Sequence, residues 1–319
     1  MNLCLTCRRA VRGKKKVAIG LYWYGHGCTY FNLSEKFGIG ESTAHGIVRE
    51  FTSVIHSNFG HLLQFPSGDH MVEVSRKFEA YRGLPNCVGA IDCSHVNITA
   101  PASLKDDFEI GRSPANAKEY FNRKGSHSVI LQAVADIDGR FIQTYAGQPG
   151  SVHDARVLSK SLLGRKLQCA DLLQGPVIEV NNTMIKPYLL GDAGYALSAN
   201  IIVPYPGEQL TPEQEHFNFV HSSTRMCVER AFGMLKMRWR ILNGKVCVKD
   251  PYIMSLYTSC ACILHNLMVA RNDTFIAMPI DVMPQLPVHY PGVMEGGSEL
   301  GSTVRDALCE HLWKRRQAT

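Results

Sequence analysis

The chain has 319 residues and a mass of 35.5 kDa, enough for one catalytic-sized domain with a small appendage and too little for three. Apolar residues make up 45% and charged residues 19%, while 27 Gly and 15 Pro are near average, which excludes collagen, coiled coil and wholesale disorder. The net charge of +6 is modest, so its distribution carries more information than its size.

Residues 1–60 hold eight Lys/Arg against three acids, and residues 221–250 hold seven against two. Two basic segments on a near-neutral scaffold are what contact with a polyanion needs, although two solvated helix faces would look the same. Met1 to Lys16 has no apolar core and reads as a basic leader over 1–15 rather than a secretory signal, so the chain is expected inside the cell. The eleven cysteines are odd in number and show no framework, which reads as reduced thiols. Cys4 and Cys7 form the only Cys-x-x-Cys, and a zinc ribbon would need a second such pair.

From Lys16 to Asn58 the pattern is helical: an apolar run Val17 to Trp23, a second Phe31 to Phe37, the turn Gly38-Ile39-Gly40, and a third run from Glu41 with Ala44, Ile47, Val48 and Phe51 on one face. Residues 16–60 therefore read as helix, tight Gly turn, helix. As a helix-turn-helix this would place Glu41, Ser42, Thr43 and His45 in the major groove and leave Lys36 and Arg49 for phosphates. The same pattern also suits a helical bundle that pads a larger domain.

From Pro85 the texture turns to strands. Cys87 to Thr99 is apolar and β-rich, and the runs His127 to Ala135 and Arg140 to Ala146 are joined by the Asp-Gly turn Asp136-Ile137-Asp138-Gly139. A helix is predicted over Val152 to Leu163, then strands Pro187 to Leu190 and Ile201 to Pro204, then a helix Thr224 to Arg238. Tyr252 to Met268 reads as a buried helix, interrupted by His265 and Asn266, and no membrane segment is predicted. This order is the ribonuclease-H-like arrangement, an α/β fold with a mixed five-stranded sheet between helices. It occupies residues 85–271 and leaves 272–319 as a Pro/Gly-rich tail with a terminal helix, Thr303 to Arg316.

Three acids sit where that arrangement would gather charge. Asp92 interrupts the apolar strand Val88-Gly-Ala-Ile-Asp92, which is costly unless it is paired or metal-bound. Asp192 ends a strand, at the edge where open α/β sheets hold ligands, and Glu229 lies on the later helix. Together they would form a hard-oxygen site for Mg²⁺ or Mn²⁺, with two ions suited to phosphodiester chemistry. Singly, each has a plainer reading: Asp92 caps a turn, Asp192 makes an Asx-turn before Gly194, and Glu229 pairs with Arg225 one helical turn earlier. Asp154, in the first turn of a helix, and His95, on the opposite strand face from Asp92, are candidates to support the ligands without touching the metal. Around Glu229, Arg225, Lys236, Arg238 and Arg240 would pair with phosphates, and Trp239 reads as a buried aromatic.

These segments carry a family resemblance. Val-Gly-Ala-Ile-Asp92-Cys-Ser-His95, Asn122-Arg-Lys-Gly-Ser-His-Ser-Val-Ile-Leu-Gln132, Pro149-Gly-Ser-Val-His-Asp154-Ala, Leu190-Gly-Asp192-Ala-Gly-Tyr195, Val228-Glu229-Arg-Ala-Phe-Gly-Met-Leu-Lys236-Met-Arg238-Trp and Cys262-Ile-Leu-His-Asn266 resemble the PIF/Harbinger DDE transposases and the nucleases derived from them. The resemblance implies that Asp92, Asp192 and Glu229 are the catalytic and metal-binding DDE triad of a DNA endonuclease that cleaves by a two-metal mechanism and retains strand transfer. It also implies a helix-turn-helix at the N-terminus, a nuclear location with the cytoplasm as a second compartment, DNA and a Myb-like protein as partners, and a homo-oligomer. A domesticated, non-catalytic DNA- and protein-binding factor of a nuclear complex is the alternative. Relatives usually carry a longer leader before the first helix, which makes a truncated N-terminus an expectation.

Overall fold

The structure is a computed structural model that describes residues 10–101, 116–169, 172–244, 250–273 and 298–318. Cys4, Cys7, Lys245, Lys249, the first nine residues of the basic leader and most of the Pro/Gly-rich tail lie outside the described residues. All eight described cysteines are free thiols.

The N-terminal helices are α1 (Gly13–His26), α2 (Tyr30–Phe37) and α3 (Glu41–Phe59). Gly38, at φ 59°, ends α2 in the left-handed region that glycine enters freely, and α3 starts after Gly40, as the Gly-Ile-Gly turn predicts. Gly20 lets α1 and α3 touch, because a Cβ there would lie 2.3 Å from the Phe51 ring. The bundle shares the main core: Trp23 meets Tyr257 edge-to-face at 4.8 Å and stacks on Tyr30 at 5.7 Å. An unpredicted helix α4 (Gly68–Arg82) follows, burying Met71, Val74 and Phe78, whose spacing was legible as one helical face.

Three long strands come next, β1 (Cys87–Asn97), β2 (Ser128–Ala135) and β3 (Phe141–Pro149), with a single turn α5 (Ala117–Tyr120) between the first two. The Asp-Gly hairpin forms as predicted: Gly139 has φ 81°, its N–H donates to the Asp136 carbonyl, and the Asp136 carboxylate accepts from the Arg140 N–H at 2.8 Å. The single helix expected over Val152 to Leu163 is two, α6 (Asp154–Lys160) and α7 (Leu162–Gln168). Ser161 breaks it by going extended (ψ 157°) and capping α7 through the Gly164 N–H, the local competition by which Ser disfavours helix interiors.

A hairpin of β4 (Ile178–Val180) and β5 (Thr183–Ile185) is inserted next, turning on Asn181 and Asn182, both at positive φ. Then come β6 (Tyr188–Leu190), β7 (Ile201–Ile202), α8 (Pro212–Arg238), α9 (Pro251–Val269) and α10 (Glu299–Gln317). Helix α8 starts a full twelve residues before the predicted Thr224, because Thr211, Pro212 and Gln214 make a capping box with Pro at N1. It ends at Arg238, so Arg240 lies beyond it in a 3₁₀ turn, off the helical face expected for it.

The main sheet has the order β3-β2-β1-β6-β7, antiparallel through β1 and parallel from β1 to β7. All eight residues of β2 are buried, so helices cover both faces of the sheet. Helix α8 packs along β1 and β2, and α9 along β3 and β2. By length and composition α9 could cross a membrane, but most of it, Met254 to Asn266 above all, is buried as a core helix.

Candidate active site

The parallel pairing of β1 with β6 aligns Ala90 with Leu190. Two residues further on stand Asp92, still within β1, and Asp192, just past the carboxyl end of β6. Asp154, the first residue of α6, completes the group: one carboxylate oxygen from each of Asp92, Asp154 and Asp192 lies within 4.8 Å of the others. All three are half-buried.

Burial pushes the Asp92 carboxyl up to about 6, against the pull of Arg225 and of the Cys93 N–H, and the charges of Asp192 and Glu229 push it the same way. Burial and then the charge of Asp192 also raise Asp154. Three carboxylates gathered this closely, two of them raised by burial and by the charge of Asp192, fit a hard divalent cation such as Mg²⁺ or Mn²⁺.

Glu229 stands one step away from the three aspartates. Its carboxylate takes an amino group of Arg225 at 2.5 Å, and the other amino group of Arg225 donates to Asp92 Oδ2 at 2.9 Å. The guanidinium thus bridges the two acids, and its side chain is 14% exposed where that of Glu229 is 40% exposed. Two of the three plainer readings are realised beside this clustering, the Asx-turn of Asp192 and the Arg225 partner of Glu229, whereas Asp92 lies within β1 and caps no turn. Asp92 Oδ1 accepts from the Cys93 N–H at 2.7 Å, Asp192 Oδ1 accepts from the Gly194 N–H at 3.0 Å in an Asx-turn, and Glu229 has its Arg225 partner. Asp154, expected to stand behind the ligands, instead lies within 4.8 Å of both other aspartates, and its sequence signal is the helix start Ser151-Val152-His153-Asp154.

His95 makes a structural contact, with Nδ1 2.9 Å from Ser128 Oγ, and burial lowers its pKa. Lys236 reaches from α8 to β1, donating to Ser94 Oγ at 2.7 Å and to the His95 carbonyl at 2.8 Å. Arg238 donates to the Asp273 carbonyl at 3.0 Å, Arg240 is exposed, and Trp239 is buried. In the bundle, Ser42, Thr43 and Arg49 are exposed along α3, His45 meets the Tyr30 ring edge-on, and Lys36 Nζ sits 5.0 Å from the centre of the Tyr22 ring. Arg123, which the charge count passed over, places Nη2 3.0 Å from both ring nitrogens of His153, next to Asp154.

A mixed sheet in this order, covered on both faces and gathering carboxylates at the edge of its parallel strands, defines a ribonuclease-H-like fold of the DDE endonuclease class. Residues 91–266 match the family described as DDE superfamily endonuclease. The chain is 31% identical over 302 residues to an ALP1-like protein of Arabidopsis thaliana, covering 93% of this chain and 70% of that one. It is 28% identical over 306 residues to the protein named Antagonist of Like Heterochromatin Protein 1, also from Arabidopsis thaliana, covering 95% and 74% of the two chains. With the candidate nuclease HARBI1 of Homo sapiens it shares 27% identity over 278 residues, covering 85% and 72%. No solved structure gives a significant match. The chain belongs to the DDE superfamily endonucleases, in the Harbinger transposase-derived group.

Proposed function

We propose that the protein is a divalent-metal-dependent DNA endonuclease that cleaves phosphodiester bonds, with strand transfer as a second outcome of the same chemistry. The observation that carries this reading is the meeting of Asp92, Asp154 and Asp192, from a central strand, a helix start and the end of a parallel strand, within 4.8 Å. Asp92 and Asp192 would hold one or two ions, with Asp154 as a third ligand and Glu229 joining once Arg225 releases it. A divalent cation held there would lower the pKa of an attacking water or 3′-hydroxyl and offset charge on the leaving oxygen. Arg225 would keep Asp92 ionised and placed, and Lys236 would fix the strand that carries it.

The exposed start of α3, with Ser42 and Thr43, supports a helix-turn-helix that reads DNA, with Arg49 and Lys36 along its flank. A nuclear location, a Myb-like partner and self-association belong to the same reading by family resemblance. One observation favours a second reading, a non-catalytic DNA- and protein-binding factor: a relative over 95% of the chain is named for antagonism of a heterochromatin protein.

Nicking of supercoiled plasmid by the purified protein, with Mg²⁺ or Mn²⁺ and beside Asp192→Ala, separates the two. Cleavage that needs both the metal and Asp192 is the expected result. Absence of cleavage together with absence of metal binding by calorimetry would establish the binding factor instead.

A further inference from the structure

The segment between β1 and β2 ends in a tight turn that is built more firmly than a surface loop requires. Asn122 is buried, and its Oδ1 accepts from the N–H groups of Lys124 at 2.9 Å and Ser126 at 3.2 Å. Its Nδ2 donates to Ser126 Oγ and to Ser128 Oγ, the latter at 2.8 Å. Gly125, at φ 75°, turns the chain, and a bridge between Phe121 and His127 closes it. A buried amide with its acceptor and both donor protons engaged is a rigid anchor. What it presents at the tip are two exposed cations, Arg123 and Lys124.

The turn is also fastened to the carboxylate site. Ser128 Oγ, held by Asn122, is 2.9 Å from His95 Nδ1 on β1. Arg123 reaches His153, the residue before Asp154. Lys236 is likewise tied to Ser94 and His95, three residues or fewer beyond Asp92. Lys124 is near enough to lower the pKa of both His95 and Lys236, behind the larger effect of burial. Cations are thus collected on one flank of an anionic cluster, and fixed positive groups crowd one another there. A ligand with negative charges spaced along a chain would relieve that crowding.

We propose that the Asn122–Gly125 turn is a phosphate clamp, in which Arg123 and Lys124 grip the backbone of the DNA strand whose scissile phosphodiester lies at Asp92, Asp154 and Asp192. This rests on the endonuclease reading for its substrate and adds the residues that position that substrate. Arg123 and Lys124 are positioning residues that act on phosphates next to the reacting one, and the buried Asn122 is the part that fixes where they stand.

The test measures DNA affinity of the full-length protein by fluorescence anisotropy with a labelled duplex, in EDTA, from 50 to 200 mM KCl. Parent, Arg123→Ala/Lys124→Ala, the charge-preserving Arg123→Lys/Lys124→Arg, and Lys186→Ala, an exposed cation beside Met184 and Leu300, are compared. The alanine pair is expected to flatten the slope of log K against log salt by roughly 1.8, two contacts at about 0.9 each, with an unchanged melting temperature. The charge-preserving pair and Lys186→Ala should keep the parent slope. An alanine-pair slope equal to that of the parent, or an equal loss in Lys186→Ala, overturns the clamp.

Nicking with Mn²⁺ on the same preparations keeps the two readings apart. If the parent nicks and the alanine pair binds with an unchanged slope, the clamp fails and the endonuclease stands. If the slope flattens and the parent never nicks, Arg123 and Lys124 still grip the DNA backbone, while the endonuclease reading and the scissile placement fail. Where both hold, the alanine pair raises KM for DNA and leaves kcat nearly unchanged, as loss of uniform binding does.

Discussion

Arg225 lies against Asp92, donating to Oδ2 at 2.9 Å, and in doing so supplies the positive charge that a half-buried carboxylate among other carboxylates needs. Arg225→Ala removes the only cation that the described ion pairs give to Asp92. Breaking a mostly buried pair on one side costs about 3 kcal/mol, or roughly 4–5 °C in melting temperature for a chain of this size. Saturating Mn²⁺ should restore most of that loss by taking over the charge. Differential scanning fluorimetry with and without Mn²⁺ checks it, and a loss that Mn²⁺ leaves untouched contradicts the compensating role.

On the proposed metal-dependent reading, Asp154 and Glu229 would compete for the third ligand position, and the geometry ranks them. Asp154 is within 4.8 Å of both other acids, while Glu229 is engaged by Arg225. Asp154→Asn should weaken Mn²⁺ binding by about tenfold or more, or ~1.4 kcal/mol. Glu229→Gln should weaken it less in the absence of DNA. Calorimetric titration of both variants with Mn²⁺ reads the order directly, and a larger loss in Glu229→Gln would restore it as the primary ligand.

Asp136 gives a pH dependence free of the metal site. Burial raises its carboxyl from 3.8 to about 6, opposed by its hydrogen bond from the Arg140 N–H. A folded value above the unfolded one gives stability that is full below about 4 and lost as pH rises through about 6. Asp136→Asn, which can still accept from Arg140, should therefore be more stable than the parent at pH 7.5 by on the order of 2 kcal/mol, and the advantage should vanish near pH 4. Buried His221 and His265, both lowered to about 4, lose stability as pH falls from 6.5 towards 4, so only the difference between variant and parent isolates Asp136. Urea titrations of both proteins across pH 4–7.5 measure it.

Asn266 explains why Cys262-Ile-Leu-His-Asn266 is a sequence signature without a catalytic group. Its Oδ1 accepts from the Phe141 N–H at 2.9 Å, and its Nδ2 donates to the carbonyls of Phe141 at 2.7 Å and Leu62 at 3.0 Å. His265 donates to the Gly139 carbonyl in the adjoining hairpin. The pair pins α9 to the edge strand β3, satisfying backbone groups that no neighbouring strand can reach. Asn266→Ala should destabilise the fold by about 2–4 kcal/mol in urea titration, leaving Mn²⁺ affinity per folded molecule unchanged.

Trp23 makes one of several aromatic contacts between the N-terminal bundle and the rest, beside those of Tyr24 against Trp239 and Tyr257. Because it is buried against Tyr257 and Tyr30, Trp23→Ala should cost about 3–5 kcal/mol. Bundle and sheet should still melt in one transition by circular dichroism, since they share one core. A separate early transition would show that the bundle folds alone.

Much of this protein is legible from local pattern. The Gly-Ile-Gly turn, the Asp-Gly hairpin, the continuous apolar runs of the central strands and the solitary Asp92 within one of them each record the immediate surroundings of a short segment. For that reason they yield the element order, the mixed sheet and two of the three clustered carboxylates. The same rules missed the early start of α8 and the Asn181-Asn182 hairpin, whose cap and turn signals were present, and joined α6 to α7 across Ser161.

Which side chains meet is a different kind of fact. That Asp154 stands with Asp92 and Asp192, that Arg225 draws Glu229 aside, and that Lys236 spends its charge on Ser94 and His95 all depend on how α6 and α8 dock on a sheet ordered β3-β2-β1-β6-β7. Periodicity places a residue on a face of its own element. The distance between two such faces is set by packing between segments far apart in the chain, so only the folded molecule decides which acids converge and which cations they meet.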